Sequence, residues 1–253
     1  MSPRPLEGLV VLITGGGQGV GLGIAEACAA AGARLVLTGR DADKLEGVAA
    51  DLRRRGTEVV TVAGDVRTRA TAERNVAAAI ERFGRLDVLV NNAQSSVPGV
   101  PLEQIDDATI SLTIESGLFG TLYHMQAAFP HLKERGGSII NFGSREGEYG
   151  GVGFGIYAAT KEGIRGLSRT AAREWGRHRI RVNVICPAAL SPVAKQYLAE
   201  HPKEAEYYLS QTALGYFGDP AADIGPVAVF LASQESHYVT GQTINADGGQ
   251  MML

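Results

Sequence analysis

Apolar stretches of strand length alternate with stretches of helical periodicity along almost the whole chain, and this alternation constrains the fold more than any other feature. The strand candidates are rich in Val, Ile and Leu, and most are continuously apolar, as is typical of parallel strands buried on both faces. They are Leu9–Thr14, Arg34–Thr38, Val59–Ala63, Leu86–Asn91, Ser138–Phe142, Ile180–Ile185 and Thr243–Ala246. This order predicts a doubly wound α/β sheet with right-handed crossovers.

The segments between the strands predict helices that flank the sheet. They are Gly21–Ala31, Ala42–Arg55, Arg69–Phe83, Asp106–Lys133, Tyr157–Arg177 and Ala221–Ala232. No linker or low-complexity tract divides the 253 residues, so we expect a single domain over 1–253. The stretch 187–220 breaks the rhythm and carries several aromatic residues. Long insertions of this kind are often lids, and we expect a substrate lid here, with a helical hairpin that only packs as the alternative.

Charge and composition exclude several classes of partner. The formal net charge is −3, so no basic excess favours nucleic acid or an anionic membrane. The first apolar run, Leu9–Ile13, is far shorter than the ~18 residues of a membrane span. Cys28 and Cys186 are expected as reduced, buried thiols. The histidines show no zinc-binding spacing. We therefore expect a cytoplasmic protein with a small-molecule partner, no metal, no nucleic acid and no membrane contact.

A glycine-rich turn follows the first strand and opens the first helix. Six of the nine residues from Gly15 to Gly23 are glycine. A helix N-terminus offers free backbone N–H groups, and glycines let the chain turn tightly and approach a pyrophosphate. The turn predicts a dinucleotide site that uses Gly15, Gln18, Gly19, Val20 and Gly21, although a merely structural turn is the alternative.

The end of the second strand bears on the cofactor. A carboxylate there would hold the ribose 2′-hydroxyl of NAD, but the position is Gly39, followed by Arg40. Arginine can pair with a 2′-phosphate, so NADP(H) is favoured over NAD(H). The alternative is a solvated Arg40 paired with a neighbouring aspartate. After the third strand, Asp65 is placed to bind an adenine edge beside Val66, or it caps a helix.

Three polar residues near the fifth strand form a candidate catalytic set. Tyr157 and Lys161 stand four apart on a predicted helix, so they share one face. A nearby ammonium lowers the pKa of a phenol, and Tyr157 could then exchange a proton with a substrate oxygen. Ser144 follows the fifth strand, at the sheet edge where ligands of parallel sheets bind. It is expected to bind the substrate oxygen, with a capping serine as the alternative.

The chain resembles the short-chain dehydrogenase/reductase family over essentially its whole length. The resemblance rests on Thr14-Gly15-x-x-x-Gly19-x-Gly21, Asn91-Asn92-Ala93, Ser144 with Tyr157-x-x-x-Lys161, Cys186-Pro187, and the stretch Gly241 to Gly249. It implies a Rossmann-type domain with a seven-stranded, mainly parallel sheet, an NAD(P)-dependent oxidoreductase and a homotetramer.

The same resemblance implies roles for individual residues. Ser144 would orient the substrate, Tyr157 would act as acid and base, and Lys161 would hold the nicotinamide ribose. Asn92, Ala93 and Pro187 would line the nicotinamide half of the site, and Ser191 could contact the carboxamide.

Three positions depart from the family pattern. Gln94 and Ala188 stand where glycine is usual, and Gly117 stands where an asparagine normally completes the catalytic set. One hypothesis is that Gly117 leaves room for a water or part of the substrate beside Lys161, and the alternative is close helix packing.

The leading interpretation is a ketone reductase or secondary-alcohol dehydrogenase. Its expected substrate is a medium-sized, mainly apolar carbonyl compound, such as a cyclic ketone, a steroid-like ring system or a 3-oxoacyl thioester. A dinucleotide-binding protein with weak or no turnover, and non-redox chemistry on the same fold, are the alternatives.

Overall fold

The computed structural model describes residues 4–190 and 192–252, and it contains one sheet of seven parallel strands in the order β3-β2-β1-β4-β5-β6-β7. The strands are β1 (Val10–Thr14), β2 (Arg34–Gly39), β3 (Val59–Ala63), β4 (Val88–Asn91), β5 (Gly137–Phe142), β6 (Ile180–Pro187) and β7 (Thr243–Ala246). All seven predicted strands are present, and the doubly wound α/β fold is confirmed.

Helices cover both faces of the sheet. They are α1 (Gly19–Ala30), α2 (Ala42–Arg54), α3 (Arg69–Phe83), α4 (Asp107–Ile114), α5 (Gly120–Leu132), α6 (Arg145–Tyr149), α7 (Gly155–Trp175), α8 (Pro192–Glu200), α9 (Pro202–Ser210) and α10 (Gly225–Ala232). Among the described helices, none is both long and apolar enough to cross a lipid bilayer.

The two faces of the central strands feed two separate cores. In β1, Val11 and Ile13 pack with residues of α1, α2 and α10, whereas Val10 and Leu12 pack with residues of α3, α5 and α7. Successive side chains of a strand point to opposite faces, so a strand covered on both sides must be apolar throughout. This explains why β1 reads as a continuous apolar run whose residues are all buried.

Three segments differ from the sequence-based expectations. The predicted helix Asp106–Lys133 is divided into α4 and α5 by a π-helical turn at Glu115–Phe119. The stretch after Ser144, where no helix was predicted, contains the single-turn helix α6. The stretch 187–220 contains α8 and α9, so helical secondary structure is present there.

The strand order reverses between β1 and β4, and the chain leaves these neighbouring strands in opposite directions across the sheet. Ile13 pairs with Leu37 of β2 on one side and with Val90 of β4 on the other. Ligands of open parallel sheets bind in the crevice that such a reversal opens at the carboxyl ends of the strands.

Candidate active site

A cavity of about 900 Å³ lies at the carboxyl ends of β1, β4 and β5. It brings together nearly all of the residues that the sequence singled out. Those that line it are Gly15, Gln18, Gly19, Val20, Arg40, Asp65, Val66, Asn92, Ala93, Ser144, Tyr157, Lys161 and Pro187. Residues far apart in the chain therefore line one cavity, as the strand order requires: Gly15 and Ser144 are 129 positions apart, and Gly15 and Lys161 are 146 apart.

Two predicted cofactor residues are not part of this wall as described. Gly21 is buried beneath the turn rather than in the cavity lining, and a Cβ on it would collide with the Gly15 carbonyl oxygen. Its lack of a side chain thus serves the packing of α1 on the first turn, and a direct contact of Gly21 with the cofactor stays a prediction. Ser191 lies outside the described residues.

Hydrogen bonds join the two loops that diverge at the strand reversal. The Thr14 hydroxyl accepts from the backbone N–H groups of Asn92 and Ala93, both at 3.0 Å. The Asn92 amide donates to the Thr14 carbonyl at 3.0 Å. These bonds fix the glycine-rich turn against the loop after β4, so the cavity floor is held in one geometry.

The N-terminus of α1 has the features of an anion site. Gln18 precedes the helix without a side-chain capping bond, and the first turn carries no acidic residue. The first N–H groups of a helix have no intrahelical acceptor and carry the positive end of the helix dipole. Gly17, Gln18, Gly19 and Val20 line the cavity at this point, so the residues present suit a pyrophosphate.

Basic side chains surround the far end of the cavity, beyond Gly39. Arg40, Lys44 and Arg67 all line it, and the Lys44 ammonium donates to the Gln18 side-chain oxygen at 2.9 Å. In the described chain, no ion pair joins Arg40 to Asp41 or Asp43, and Asp41 instead caps α2 by accepting from the Lys44 backbone N–H at 2.9 Å. The expected alternative of an Arg40–aspartate pair is therefore wrong.

Asp65 does not cap a helix, because Thr68 is the N-cap of α3. The Asp65 carboxylate accepts from the Arg67 backbone N–H at 3.0 Å and pairs with the Arg67 guanidinium at 2.8 Å. Hydrogen bonding to Arg67 lowers the pKa of Asp65, despite the opposing effect of burial. Asp65 is thus held as a carboxylate at the cavity wall, where it can accept from an adenine amino group.

Ser144 and Tyr157 meet at the inner end of the cavity. The Ser144 hydroxyl caps α6 by accepting from the Glu146 backbone N–H at 3.2 Å. Tyr157 lines the cavity beside it, near enough for the Ser144 hydroxyl to interact with the phenol. The capping role that sequence reasoning kept as an alternative is therefore present, and it places Ser144 beside Tyr157.

Lys161 lies beneath the tyrosine, one helical turn further along α7. Its ammonium donates to the Phe142 carbonyl at 3.0 Å and stands 5.5 Å from the centre of the Tyr157 ring. Lys161 is buried, and burial lowers its pKa from 10.5 to about 8. The strand β5 and the helix α7 together fix this ammonium, since one supplies the acceptor and the other the side chain.

Burial raises the pKa of Tyr157 above its ordinary value, although the interaction with the Ser144 hydroxyl acts in the opposite direction. The sequence-based expectation that neighbouring protein groups lower the pKa of the Tyr157 phenol is therefore wrong. A phenol with a raised pKa stays protonated at neutral pH, so it can donate a proton to a substrate oxygen.

The space beside Gly117 is occupied rather than open. A Cβ built on Gly117 would lie 2.5 Å from the Thr160 methyl group and 3.0 Å from the Gln94 carboxamide carbon. The hypothesis that the missing side chain leaves room for water or substrate is therefore wrong, and close packing explains the glycine. Gln94 and Gly117, two departures from the family pattern, are thus neighbours in space.

Sequence reasoning missed Lys44, Arg67 and Gln94, which all line the cavity. Lys44 lies in the first turn of α2, four residues after Arg40, and Arg67 lies two residues after Asp65, so a search for basic residues near the strand ends could have found both. Gln94 was noticed only as an unusual residue after Asn-Asn-Ala. No cluster of three or more His, Cys, Asp or Glu side chains suited to a metal ion occurs in residues 4–190 and 192–252.

Comparison with known proteins places the chain in a family. The family model described as enoyl-(acyl carrier protein) reductase matches residues 15–251. The solved structure of a short-chain type dehydrogenase/reductase from Mycobacterium ulcerans superposes with a TM-score of 0.92 at 31% identity, covering 97% of this chain and 90% of that one.

Two curated relatives are similar over nearly their full lengths. The 12α-hydroxysteroid dehydrogenase of a Clostridium species is 45% identical over 250 residues, which cover 96% of each chain. The levodione reductase of Leifsonia aquatica is 36% identical over 250 residues, which cover 95% of this chain and 93% of the relative. The chain therefore belongs to the short-chain dehydrogenase/reductase family and is a nicotinamide-dependent oxidoreductase that acts on ketones and alcohols.

Proposed function

We propose that the protein is an NADP(H)-dependent oxidoreductase that interconverts a cyclic, steroid-like ketone and its secondary alcohol. The observation that carries the proposal is the placement of Ser144 and Tyr157 beside the buried Lys161, on the wall of the same cavity as the uncapped start of α1. A protein that only binds a dinucleotide has no need of this pair.

The residues that would hold the cofactor follow the cavity from one end to the other. The N–H groups at the start of α1 would bind the pyrophosphate. Asp65 would accept from the adenine, and Asn92, Ala93 and Pro187 would line the nicotinamide half. Lys161, with one of its three N–H donors used by the Phe142 carbonyl, would bind the nicotinamide ribose. The bound cofactor supplies or accepts the hydride.

The preference for NADP(H) is supported by the charges near β2. Gly39 carries no carboxylate to bind a 2′-hydroxyl, and Arg40 and Lys44 supply two cationic groups for a 2′-phosphate. A phosphate there would also meet Arg67, although Asp65 already pairs with that guanidinium.

In the reducing direction, Ser144 and Tyr157 would both contact the substrate carbonyl oxygen. The hydroxyl of Ser144 orients that oxygen, and the phenol of Tyr157 donates its proton as hydride reaches the carbonyl carbon, which yields a neutral alcohol. The ammonium of Lys161 favours the phenolate that remains. In the oxidising direction, the phenolate takes the proton from the alcohol.

The substrate class is supported by relatives and by the surface beyond the cavity. One relative is named for a hydroxysteroid and another for levodione. Tyr207, Tyr208 and Tyr216, after Pro187, present exposed aromatic rings. No described residue of α8 or α9 lines the cavity, so the lid proposed for 187–220 would have to move to cover a substrate.

Assembly and location complete the proposal. We expect a homotetramer, as the family resemblance implies, and light scattering at micromolar protein would show a monomer if that expectation is wrong. Cys28 and Cys186 are buried and unpaired, which supports a reducing, cytoplasmic location.

The test is turnover with a defined panel. Purified protein is mixed with NADPH or NADH and with hydroxysteroid-derived ketones, monocyclic ketones and a 3-oxoacyl thioester, and cofactor absorbance is followed. We expect NADPH-dependent reduction of the ring ketones, with the highest kcat/KM for the steroid. Tight NADPH binding without turnover on any ketone would support a binding protein instead.

A further inference from the structure

The helix that begins at Ser144 is too short to be stable alone. It spans five residues, Arg145–Tyr149, and none of them is fully buried. Isolated helices of this length do not form in water, because a first turn costs more conformational entropy than its single hydrogen bond returns. The orientation of α6, and with it the position of Ser144, must therefore come from contacts with other elements.

The backbone of α6 lies directly on α7. A Cβ built on Gly147 would lie 2.8 Å from the Glu162 carboxylate and 3.3 Å from the Lys161 Cβ. Glycine at this position lets the two helices approach at the turn of α7 that carries the catalytic lysine. This contact brings the helices together but supplies no directional bond.

An ion pair also links α6 to α7. The Arg165 guanidinium of α7 lies 2.6 Å from the Glu148 carboxylate of α6 and donates to the Glu162 carboxylate at 3.1 Å. The Glu148 and Arg165 side chains are only 5% and 16% exposed. Neither Glu148 oxygen accepts a hydrogen bond from a described residue, so the contact with Arg165 is ionic. A carboxylate buried in this way depends on the facing cation.

Arg165 also reaches the residue on the other side of Ser144. A Cβ built on Gly143 would lie 3.8 Å from the Arg165 Cδ and 2.6 Å from the Cys186 sulfur. The stem of Arg165 therefore lies beneath the chain just before Ser144, and its guanidinium holds the helix just after it.

We propose that Arg165 is a positioning residue, which acts through Glu148 to hold Ser144 in place beside Tyr157. The inference rests on the proposed function, because it assumes that Ser144 orients the substrate. Tyr157 and Arg165 lie on the same helix, so the ion pair ties the helix of the serine to the helix of the tyrosine. Without the ion pair, Ser144 would shift relative to Tyr157, whereas the cofactor residues on β1, α1 and β2 would keep their positions.

The experiment is a double-mutant cycle between Glu148→Gln and Ser144→Ala. Glu148→Gln removes the charge without changing the size of the side chain and leaves Arg165 bonded to Glu162. A misplacement of about 1 Å can cost about 10²-fold in rate, so we expect kcat to fall at least ~10-fold. The dissociation constant of NADPH should change by less than about 2-fold. Arg169→Met, an exposed arginine one turn further along α7, is the matched control and should leave both quantities unchanged.

The decisive comparison is made in the Ser144→Ala background. If Glu148 and Arg165 act through Ser144, Glu148→Gln should lower kcat there by less than about 2-fold, because coupled residues give non-additive effects. The same fold-loss in both backgrounds, or no loss in either, would overturn the inference. A full wild-type kcat for Ser144→Ala itself would overturn the proposed role of Ser144 and this inference together.

Three further variants keep the test independent of folding. Glu148→Asp retains the charge but withdraws the carboxylate by one methylene group, and it replaces Glu148→Gln in the cycle if the latter does not fold. Arg165→Lys retains a cation and should keep more activity than Arg165→Met at equal folded fraction. Equal activity of these two arginine variants would count against a positioning role.

Discussion

Gly117→Ala should destabilise the protein, because the added methyl group meets a buried helix rather than open space. The new Cβ would lie 2.5 Å from the Thr160 methyl group and 3.0 Å from the Gln94 carboxamide. The carboxamide is the end of a flexible side chain and can shift. Thr160 is buried on α7 next to Lys161, so relief at that contact requires movement of the helix that carries the catalytic residues.

The size of the effect follows from two opposing contributions. Overpacking a well-packed site costs about 1–3 kcal/mol, while replacing glycine by alanine within a helix returns at most about 1 kcal/mol. Gly166→Ala in α7 isolates the second contribution, because nothing lies within 4 Å of a Cβ built there. We therefore expect Gly117→Ala to be less stable than Gly166→Ala by about 1–3 kcal/mol.

Equilibrium unfolding in urea, at one protein concentration, measures this difference as a shift in midpoint with an unchanged slope. Thr160→Ser removes the methyl group that the new Cβ would meet, so it should restore part of the stability in the Gly117→Ala background. The reasoning is refuted if Gly117→Ala is as stable as Gly166→Ala. It is also refuted if Thr160→Ser lowers stability equally in the wild-type and the Gly117→Ala backgrounds.

Two further predictions concern the cofactor. Arg40→Ala and Lys44→Ala should each raise the KM for NADPH by about 10-fold or more, because each variant removes charge-assisted bonds worth about 1.5–3 kcal/mol. The KM for NADH should stay nearly unchanged. Parallel initial-rate measurements with the two cofactors check this, and equal increases for both would exclude a 2′-phosphate site. Because burial lowers the pKa of Lys161 to about 8, its charge is lost as pH rises through that value, so kcat/KM for NADPH should decline above about pH 8. Lys161→Met should show low activity without this decline, and a wild-type profile that is flat through that range would contradict the assignment.

The fold was predictable because its signal is local and repeated. The continuous apolar character of segments such as Val10–Thr14 follows from burial on both faces of the sheet, and the same physics holds at each central strand. The ends of elements were less accurate, since the π-helical turn at Glu115–Phe119 and the single turn of α6 depend on contacts with other helices.

The site was predictable where chain spacing implies proximity. Tyr157 and Lys161 share a helix face, and Ser144 follows a strand end, so their meeting required only the expected topology. Gln94 filling the space at Gly117 could not be foreseen, because it depends on how the loop after β4 packs against the π-helical turn at Glu115–Phe119. The pKa of Tyr157 differed in direction because burial raises it by more than the interaction with Ser144 lowers it, and burial of one phenol is not readable from local sequence.

The measurement that tests the catalytic assignment most directly compares Tyr157→Phe with wild type in two assays on the same preparation. The variant removes the phenol oxygen and little volume, and the loss of one acid–base group lowers rates by about 10²–10⁴-fold. We predict that kcat for ketone reduction falls by this factor, while NADPH binding, followed by fluorescence titration, stays within about 3-fold of wild type, since a hydride-transfer site needs the proton donor only for chemistry. Turnover by Tyr157→Phe within about 3-fold of wild type would contradict the account, because a group that supplies the proton cannot be lost at so small a cost.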